Sequence, residues 1–265
     1  MRFPNPLKSL GIISHKNTAL VLSSNAIFYV KYSCIQASLS PLLMKIYGLN
    51  TLQVGLTYLA FGIASALASY GAGKITDYDY RKTAIAHGFT INKVSGDKLL
   101  EFPIEKARLR TVWCYIFISS TSTLGYGWAL QMRAHLSVPL IMQFLIGLAV
   151  TGIFNVCNTL IVDLHPSAPA TASASVRITR CLTAALGLSV QQLLFDSIGT
   201  GWTFTLISAL CYMTVPGLIV VRCRGWDWRL DKAAQTAPSG ARHTMAGSGG
   251  VKPKNLTQPK KVLGH

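Results

Sequence analysis

The chain has 265 residues, of which 50% are hydrophobic and only 13% are charged, and its formal net charge is +16. Soluble domains carry about 25% charged residues, and so apolar a chain does not remain disordered. This composition excludes a largely disordered protein, and six cysteines spread over this length exclude a disulfide scaffold. Two classes remain: a basic nucleic-acid-binding protein and a membrane protein with positively charged loops.

The distribution of charge decides between these classes. Four windows contain no Asp, Glu, Lys or Arg: residues 46–73, 111–132, 134–162 and 197–221. Two more segments are nearly uncharged: 17–44, which contains Lys31, and 170–195, which contains Arg177 and Arg180. A helix needs about 20 mainly apolar residues to cross a bilayer. The sequence therefore predicts an all-α membrane protein with six transmembrane helices and the lipid bilayer as its surroundings.

The basic residues also predict the orientation. Six spans place both termini on one side, and 22 Lys and Arg residues fall on that side, against Lys45 and Arg133 on the other. The positive-inside rule then predicts that both termini are cytoplasmic. The net charge is explained as a topology signal, and no nucleic-acid partner is expected.

The loops define the expected domain organisation. Residues 1–16 are predicted to be a cytoplasmic segment, 17–222 the membrane domain with a long cytoplasmic loop at 74–110, and 223–265 a disordered basic tail. The outer connections, near residues 46–50, 133–135 and 196–201, are short. They leave no room for an extracellular domain.

Catalysis is not expected. The sequence contains no Walker loop, dinucleotide fingerprint, H-E-x-x-H or G-x-S-x-G motif. No histidine lies four residues from another, and no predicted span contains an internal acid. We therefore predict that the chain is not an enzyme, has no catalytic residues, and holds neither a metal nor a cofactor.

The most specific motif lies where the second predicted span leaves the membrane. It has the form G-x-x-x-D-x-x-x-R-[RK] and consists of Gly73, Asp77, Arg81 and Lys82. Glycine permits close helix approach, Asp can cap a neighbouring helix, and Arg can clamp a carboxylate. The alternative reading is an ordinary basic flank that stops membrane insertion.

Polar residues within the spans are the remaining site candidates, because an unpaired amide at bilayer depth is costly. They are read either as a substrate-facing stripe or as interhelical hydrogen-bonding groups, and Asn155 and Asn158 are spaced to share one helix face. The cavity candidates are Asn25, Lys31, Gln143, Asn155, Asn158 and Gln191.

Several segments together resemble fungal multidrug:proton antiporters of the major facilitator superfamily. The motif at 73–82 resembles the cytoplasmic-loop motif of that family, and the others are Asn5–Lys8, Tyr47–Asn50, Gln53–Leu59, Phe102–Leu109, Gly125–Leu130 and Val162–Ala172. The match is to the carboxyl-terminal half of those transporters. The amino-terminal six spans have no counterpart, so truncation of a longer transporter is expected.

The resemblance implies two inverted three-helix repeats, located in the plasma membrane, that transport small organic molecules or drugs in exchange for protons. It also implies that a second six-helix bundle completes the substrate cavity. In the family the motif acts as a cytoplasmic latch, which here pairs Arg81 with Asp163. The alternative function is a non-transporting subunit or inactive fragment that pairs with a full transporter.

Lys31 departs from the family, which tends to be apolar there. A charge at the centre of a span costs about 2.5–3.5 kcal/mol on insertion scales. Two readings stay open: a cation that lines the cavity, or a lysine that snorkels or faces the missing half.

Overall fold

A computed structural model describes residues 16–86, 108–165 and 168–236. Within these ranges the chain forms helices and no strand, which confirms the prediction of an all-α protein. The five helices are α1 (Lys16–Tyr47), α2 (Thr51–Ala86), α3 (Val112–Gln131), α4 (Ser137–Leu164) and α5 (Pro169–Thr236).

Three of the described helices contain segments long and apolar enough to cross a membrane: Thr51–Ile75, Ser137–Leu164 and Pro169–Gly225. The last has 57 residues, about 85 Å of helix, whereas a bilayer core is about 30 Å thick. Gly199 interrupts it with φ 81° and ψ 169°, a conformation open essentially to glycine alone. The chain therefore has room for separate passes before and after Gly199.

Helices α1 and α3 are less apolar, for reasons visible in their sequences. The first carries Lys31 near its centre, and the second carries five consecutive Ser and Thr residues at 119–123. A hydroxyl can bond to a carbonyl one turn back in the same helix, as Thr123 Oγ1 donates to Ser119 O at 2.7 Å. Polar composition thus coexists with a regular helix.

Helix α4 lies at the centre of the bundle and packs against α1, α2 and α3. Its contact with α2 depends on Gly147. A Cβ atom at that position would lie 2.9 Å from Cδ2 of Phe61 and 3.1 Å from the Phe61 carbonyl oxygen. Small residues at helix interfaces permit such close approach in membranes.

The two parts of α5 include polar contacts with different helices. Before Gly199, Gln191 Nε2 donates to the Cys34 carbonyl of α1 at 2.8 Å. After it, Ser208 Oγ donates to the Ser120 carbonyl of α3 at 2.9 Å. Gly199 therefore separates two segments of α5, of which the second reaches α3.

The three short connections lie together at one end of the bundle. Tyr47 of the first donates its hydroxyl to the Ala134 carbonyl of the second at 2.5 Å. Gln131, which ends α3, accepts the backbone N–H of Gly201 through Oε1 at 2.5 Å. Gly48 has φ 64° and ends α1 in the left-handed conformation that glycine favours.

Two helices continue beyond the boundaries expected from charge. Helix α2 extends through Lys74 to Ala86, and α5 extends into the expected tail as far as Thr236. Residues 74–86 contain no Gly or Pro, and charged residues end a membrane span without ending a helix. The remainder of the expected loop, 87–107, and of the tail, 237–265, lie outside the described residues.

The chain divides into two units, Met1–Trp226 and Asp227–His265. The first contains the helical bundle. Of the second, residues 227–236 are described and are helical.

Candidate functional site

Arg180 brings α1, α4 and α5 together. Its Nη2 donates to Asn25 Oδ1 of α1 at 3.0 Å and to Asn158 Oδ1 of α4 at 3.3 Å. It lies 11 residues beyond the start of α5, hence about 16 Å along that helix. Both acceptors are neutral amides, so they orient the guanidinium without neutralising its charge.

Aromatic rings complete the surroundings of Arg180. The guanidinium carbon lies 4.3 Å from the Phe154 ring centroid and 5.4 Å from that of Tyr29, distances typical of cation–π contacts. Tyr32 packs edge-on against Phe154, with centroids 6.1 Å apart. We call Tyr29, Tyr32, Phe154 and Arg180 the arginine–aromatic cluster.

The cluster lies on an open face of the bundle. All four of its side chains are half-buried rather than enclosed. Asn25 beneath them is completely buried. The arrangement therefore presents a cation and aromatic surface to whatever occupies this face.

Two buried donors at the cluster have no acceptor among the described residues: Arg180 Nε and Asn25 Nδ2. The one ion pair among the described residues joins Arg108 to Asp163, so no described carboxylate neutralises Arg180. A partly buried cation with unpaired donors favours an anionic partner.

Lys31 has different surroundings. It is completely buried in the bundle, where Nζ donates to Ser119 Oγ of α3 and lies 4.9 Å from the Phe28 ring centroid. Ser119 is also completely buried. The structure therefore places Lys31 among side chains of the interior rather than beside Arg180.

The other cavity candidates are distributed over separate contacts. Gln143 is buried and donates Nε2 to Gln36 Oε1 at 3.2 Å. Asn155 is half-buried and does not share the contact of Asn158 with Arg180. Of the six predicted cavity residues, Asn25 and Asn158 are thus the two that contact Arg180.

Gln191 borders a groove between α1 and α5 near the three connections. The groove has a volume of about 410 Å³, and its polar lining includes Lys45, Gln192 and Asp196. Gln192 Nε2 lies 3.2 Å from Asp196 Oδ1, to which it donates. This groove is lined by both a cation and a carboxylate.

The predicted latch falls partly outside the described side chains. Gly73 lies within α2, and the backbone of Asp77, Arg81 and Lys82 is helical; their side chains lie outside the described residues. Asp163 Oδ2 accepts from Arg108 Nε at 3.0 Å. The pairing of Arg81 with Asp163 stays a prediction, beside this observed partner.

Arg180 and Arg108 were the residues that sequence reasoning missed as site candidates. Both were counted only as topology signals. Arg180 carried a usable signal, because it is a charge flanked by apolar residues deep within a predicted span. Arg108 carried none, since its partner lies 55 residues away in sequence.

Comparison with known proteins identifies relatives of this chain. It is 34% identical over 235 residues to MFS-type transporter clz19 of Cochliobolus lunatus, which covers 89% of this chain and 44% of the relative. It is 33% identical to MFS-type transporter R5 of a Phoma species, covering 90% of the chain and 46% of the relative. The chain is homologous to MFS-type transporters.

A third relative carries a substrate in its name. Citrate exporter 1 of Aspergillus niger is 33% identical over 225 residues, covering 83% of this chain and 43% of the relative. No family model matches the sequence. These three relatives are transporters, which confirms the prediction that the chain is not an enzyme. The chain spans slightly less than half of their length.

Proposed function

We propose that this chain is the carboxyl-terminal six-helix bundle of a proton-coupled antiporter for small organic molecules. The observation that carries the proposal is its homology, over 83–90% of its length, to transporters of which it covers 43–46%. In this proposal Arg180, about 16 Å along α5, lies near the membrane midplane, so the arginine–aromatic cluster supplies a polar face at the depth where transporters of inverted-repeat design bind substrate.

In this proposal the six spans form two inverted repeats. The first repeat consists of α1, α2 and α3, and the second consists of α4 and the two parts of α5 separated by Gly199. A second six-helix bundle, in the same or another polypeptide, closes the cavity over the arginine–aromatic cluster. Small organic molecules and protons then pass between the bundles.

The proposed latch lies at the end of the bundle opposite the three short connections. Asp163 belongs to that end, because it precedes the end of α4 by one residue. We propose that Arg81 and Arg108 share Asp163, with Gly73, Asp77 and Lys82 placing the α2 end beside it. The observed Arg108–Asp163 pair supports this proposal, because it shows that a basic side chain from another segment reaches the Asp163 carboxylate.

A chimera tests the transport function. The matching segment of Citrate exporter 1 is replaced by this chain, and citrate efflux from proteoliposomes is measured with and without a pH gradient. We expect efflux from the chimera that the pH gradient accelerates, and none from the chain alone. A correctly inserted chimera that carries no citrate, nor any other organic anion offered, would contradict transport by this bundle.

The alternative function is a non-transporting subunit. In that case the chain co-purifies with a full-length relative, and its presence changes that relative's efflux without adding any of its own. The chimera and the co-purification therefore separate the two candidates.

The orientation is tested separately. We propose that both termini face the cytoplasm and that the chain resides in the plasma membrane. An epitope after His265 should be accessible to antibody only after cells are permeabilised, whereas an epitope inserted at Gly48–Asn50 should be accessible on intact cells. The reverse pattern would overturn the proposed topology.

A further inference from the structure

We propose that the arginine–aromatic cluster binds the carboxylate of an organic anion directly through Arg180. The proposal deepens the proposed function, since it names the chemical class of the transported molecule. The statement that this anion is the transported substrate rests on the proposed function. The binding itself does not, because it is measurable without transport.

The first argument is charge. The described carboxylates of the bundle are already engaged: Asp163 by Arg108 and Asp196 by Gln192. A half-buried guanidinium in such surroundings is stabilised by an anion more strongly than it would be in water.

The second argument is hydrogen bonding. Arginine has five N–H donors, and the two acceptors found, Asn25 Oδ1 and Asn158 Oδ1, both bond to Nη2. The donors on Nε and Nη1 have no acceptor among the described residues. Nε is buried, whereas Nη1 is not among the buried unpaired atoms. The guanidinium therefore keeps donors on Nε and Nη1 that the described residues do not use.

The third argument is fixed geometry. The ring of Phe154 at 4.3 Å and that of Tyr29 at 5.4 Å hold the guanidinium from its faces. The two asparagines hold one of its edges. The donors on Nη1 are consequently held in defined directions, and each suits a single charge-assisted hydrogen bond to a carboxylate oxygen.

The buried amide of Asn25 is the independent observation. This residue is completely buried, and its Nδ2 has no acceptor among the described residues. Burying an unpaired amide N–H costs free energy. The same amide orients Arg180, because its Oδ1 accepts from the guanidinium. Beside it, Tyr32 and Tyr29 supply half-buried aromatic surface for the apolar part of the ligand.

Citrate is the probe, because it presents carboxylates and one relative is named an exporter of it. The full chain is reconstituted in phosphatidylcholine nanodiscs, and citrate binding is measured by titration calorimetry at fixed ionic strength. Triethyl citrate, the uncharged ester, is the matched ligand control. We expect citrate to bind and the ester to bind at least tenfold more weakly.

Variants assign the binding to Arg180. We expect Arg180→Gln to weaken citrate binding at least tenfold and Arg180→Lys to weaken it less, because lysine keeps the charge but not the planar guanidinium that the asparagines and rings hold in place. Arg177→Gln is the matched control and should change the affinity less than threefold. Thermal unfolding of each variant separates loss of binding from loss of folding.

The outcomes are decisive in both directions. Equal binding of citrate by folded Arg180→Gln and by the unsubstituted chain would overturn the proposal, as would equal binding of citrate and its ester. Benzoate and succinate, tested likewise, report whether the anion class is broader. Citrate binding by the chain together with an inactive chimera would overturn the proposed function and leave this inference standing.

Discussion

Two cations lie inside the helical bundle, and their surroundings differ. Lys31 is completely buried beside Phe28 and donates to a Ser119 hydroxyl that is itself enclosed. Arg180 is half-buried and held by two amides and two rings, with donors to spare. One cation is sealed within the protein, and the other faces an open surface.

The difference shows why charge in a span has no single meaning. A sealed cation can act only on the packing around it, so its effect is on insertion and stability. A cation on an open face can meet a ligand, so its effect is on binding. The predictions below test this contrast between the sealed interior at Lys31 and the open face at Arg180.

The largest expected effect is on insertion of α1. Replacing Lys31 with methionine removes a charge from the centre of a span, so we expect insertion to become more favourable by about 3 kcal/mol. The measurement is the inserted fraction of α1 in a glycosylation-mapping assay. Lys45→Met, at the exposed end of the same helix, is the control and should change the inserted fraction little. Equal effects of the two substitutions would contradict a special cost of the charge at Lys31.

The second prediction concerns the packing that closes the interior. At Gly127 of α3 a Cβ atom would lie 2.6 Å from Phe204 Cβ, whereas at Gly55 of α2 it would meet nothing within 4 Å. We expect Gly127→Leu to lower the free energy of unfolding by about 2–3 kcal/mol through overpacking. Unfolding in mixed micelles measures it, and Gly55→Leu should be nearly neutral. A tolerant Gly127 would show that α3 is not tightly packed.

The third prediction tests whether Ser119 matters only through Lys31. Removing the acceptor of a charged donor costs about 1.5–2 kcal/mol, so we expect Ser119→Ala to lower unfolding free energy by that amount. In a Lys31→Met background the same substitution should have almost no effect. Equal effects in both backgrounds would disprove the coupling.

The smallest expected effect concerns the ion pair between Arg108 and Asp163. Their side chains are 13% and 25% exposed, so solvent screens the pair only in part. We expect Asp163→Asn to lower the free energy of unfolding by about 1 kcal/mol while citrate affinity at Arg180 is unchanged. Asp196→Asn, which removes a carboxylate that accepts from Gln192 of its own helix, is the control. A change in citrate affinity would link the two sites.

Part of this structure could be predicted because charge and turn residues act locally. The all-helical class followed from the uncharged windows, and the short connections followed from residues such as Gly48. Asn25 and Asn158 were identified as candidates because amides are costly at bilayer depth. Each of these inferences needed only a short segment of sequence.

The separation of Lys31 from Arg180 could not be predicted in the same way. In a membrane helix the face toward lipid and the face toward protein are both apolar, so periodicity does not indicate which face is buried. Lys31 meets Ser119 across 88 positions and Arg180 meets Asn25 across 155. Helix α2 likewise continues beyond Lys74, where the expected membrane segment ends, because a charged residue limits the membrane segment and not the helix.

Gly199 has a consequence for the register of the chain that follows. No loop separates the two parts of α5, so the rotational phase of one part is transmitted to the other through a single residue. One inserted residue would turn the following helix by about 100°, which moves Phe204 and Ser208 away from α3. A deletion or insertion here therefore rotates the whole helical segment that follows Gly199, which a flexible loop would absorb.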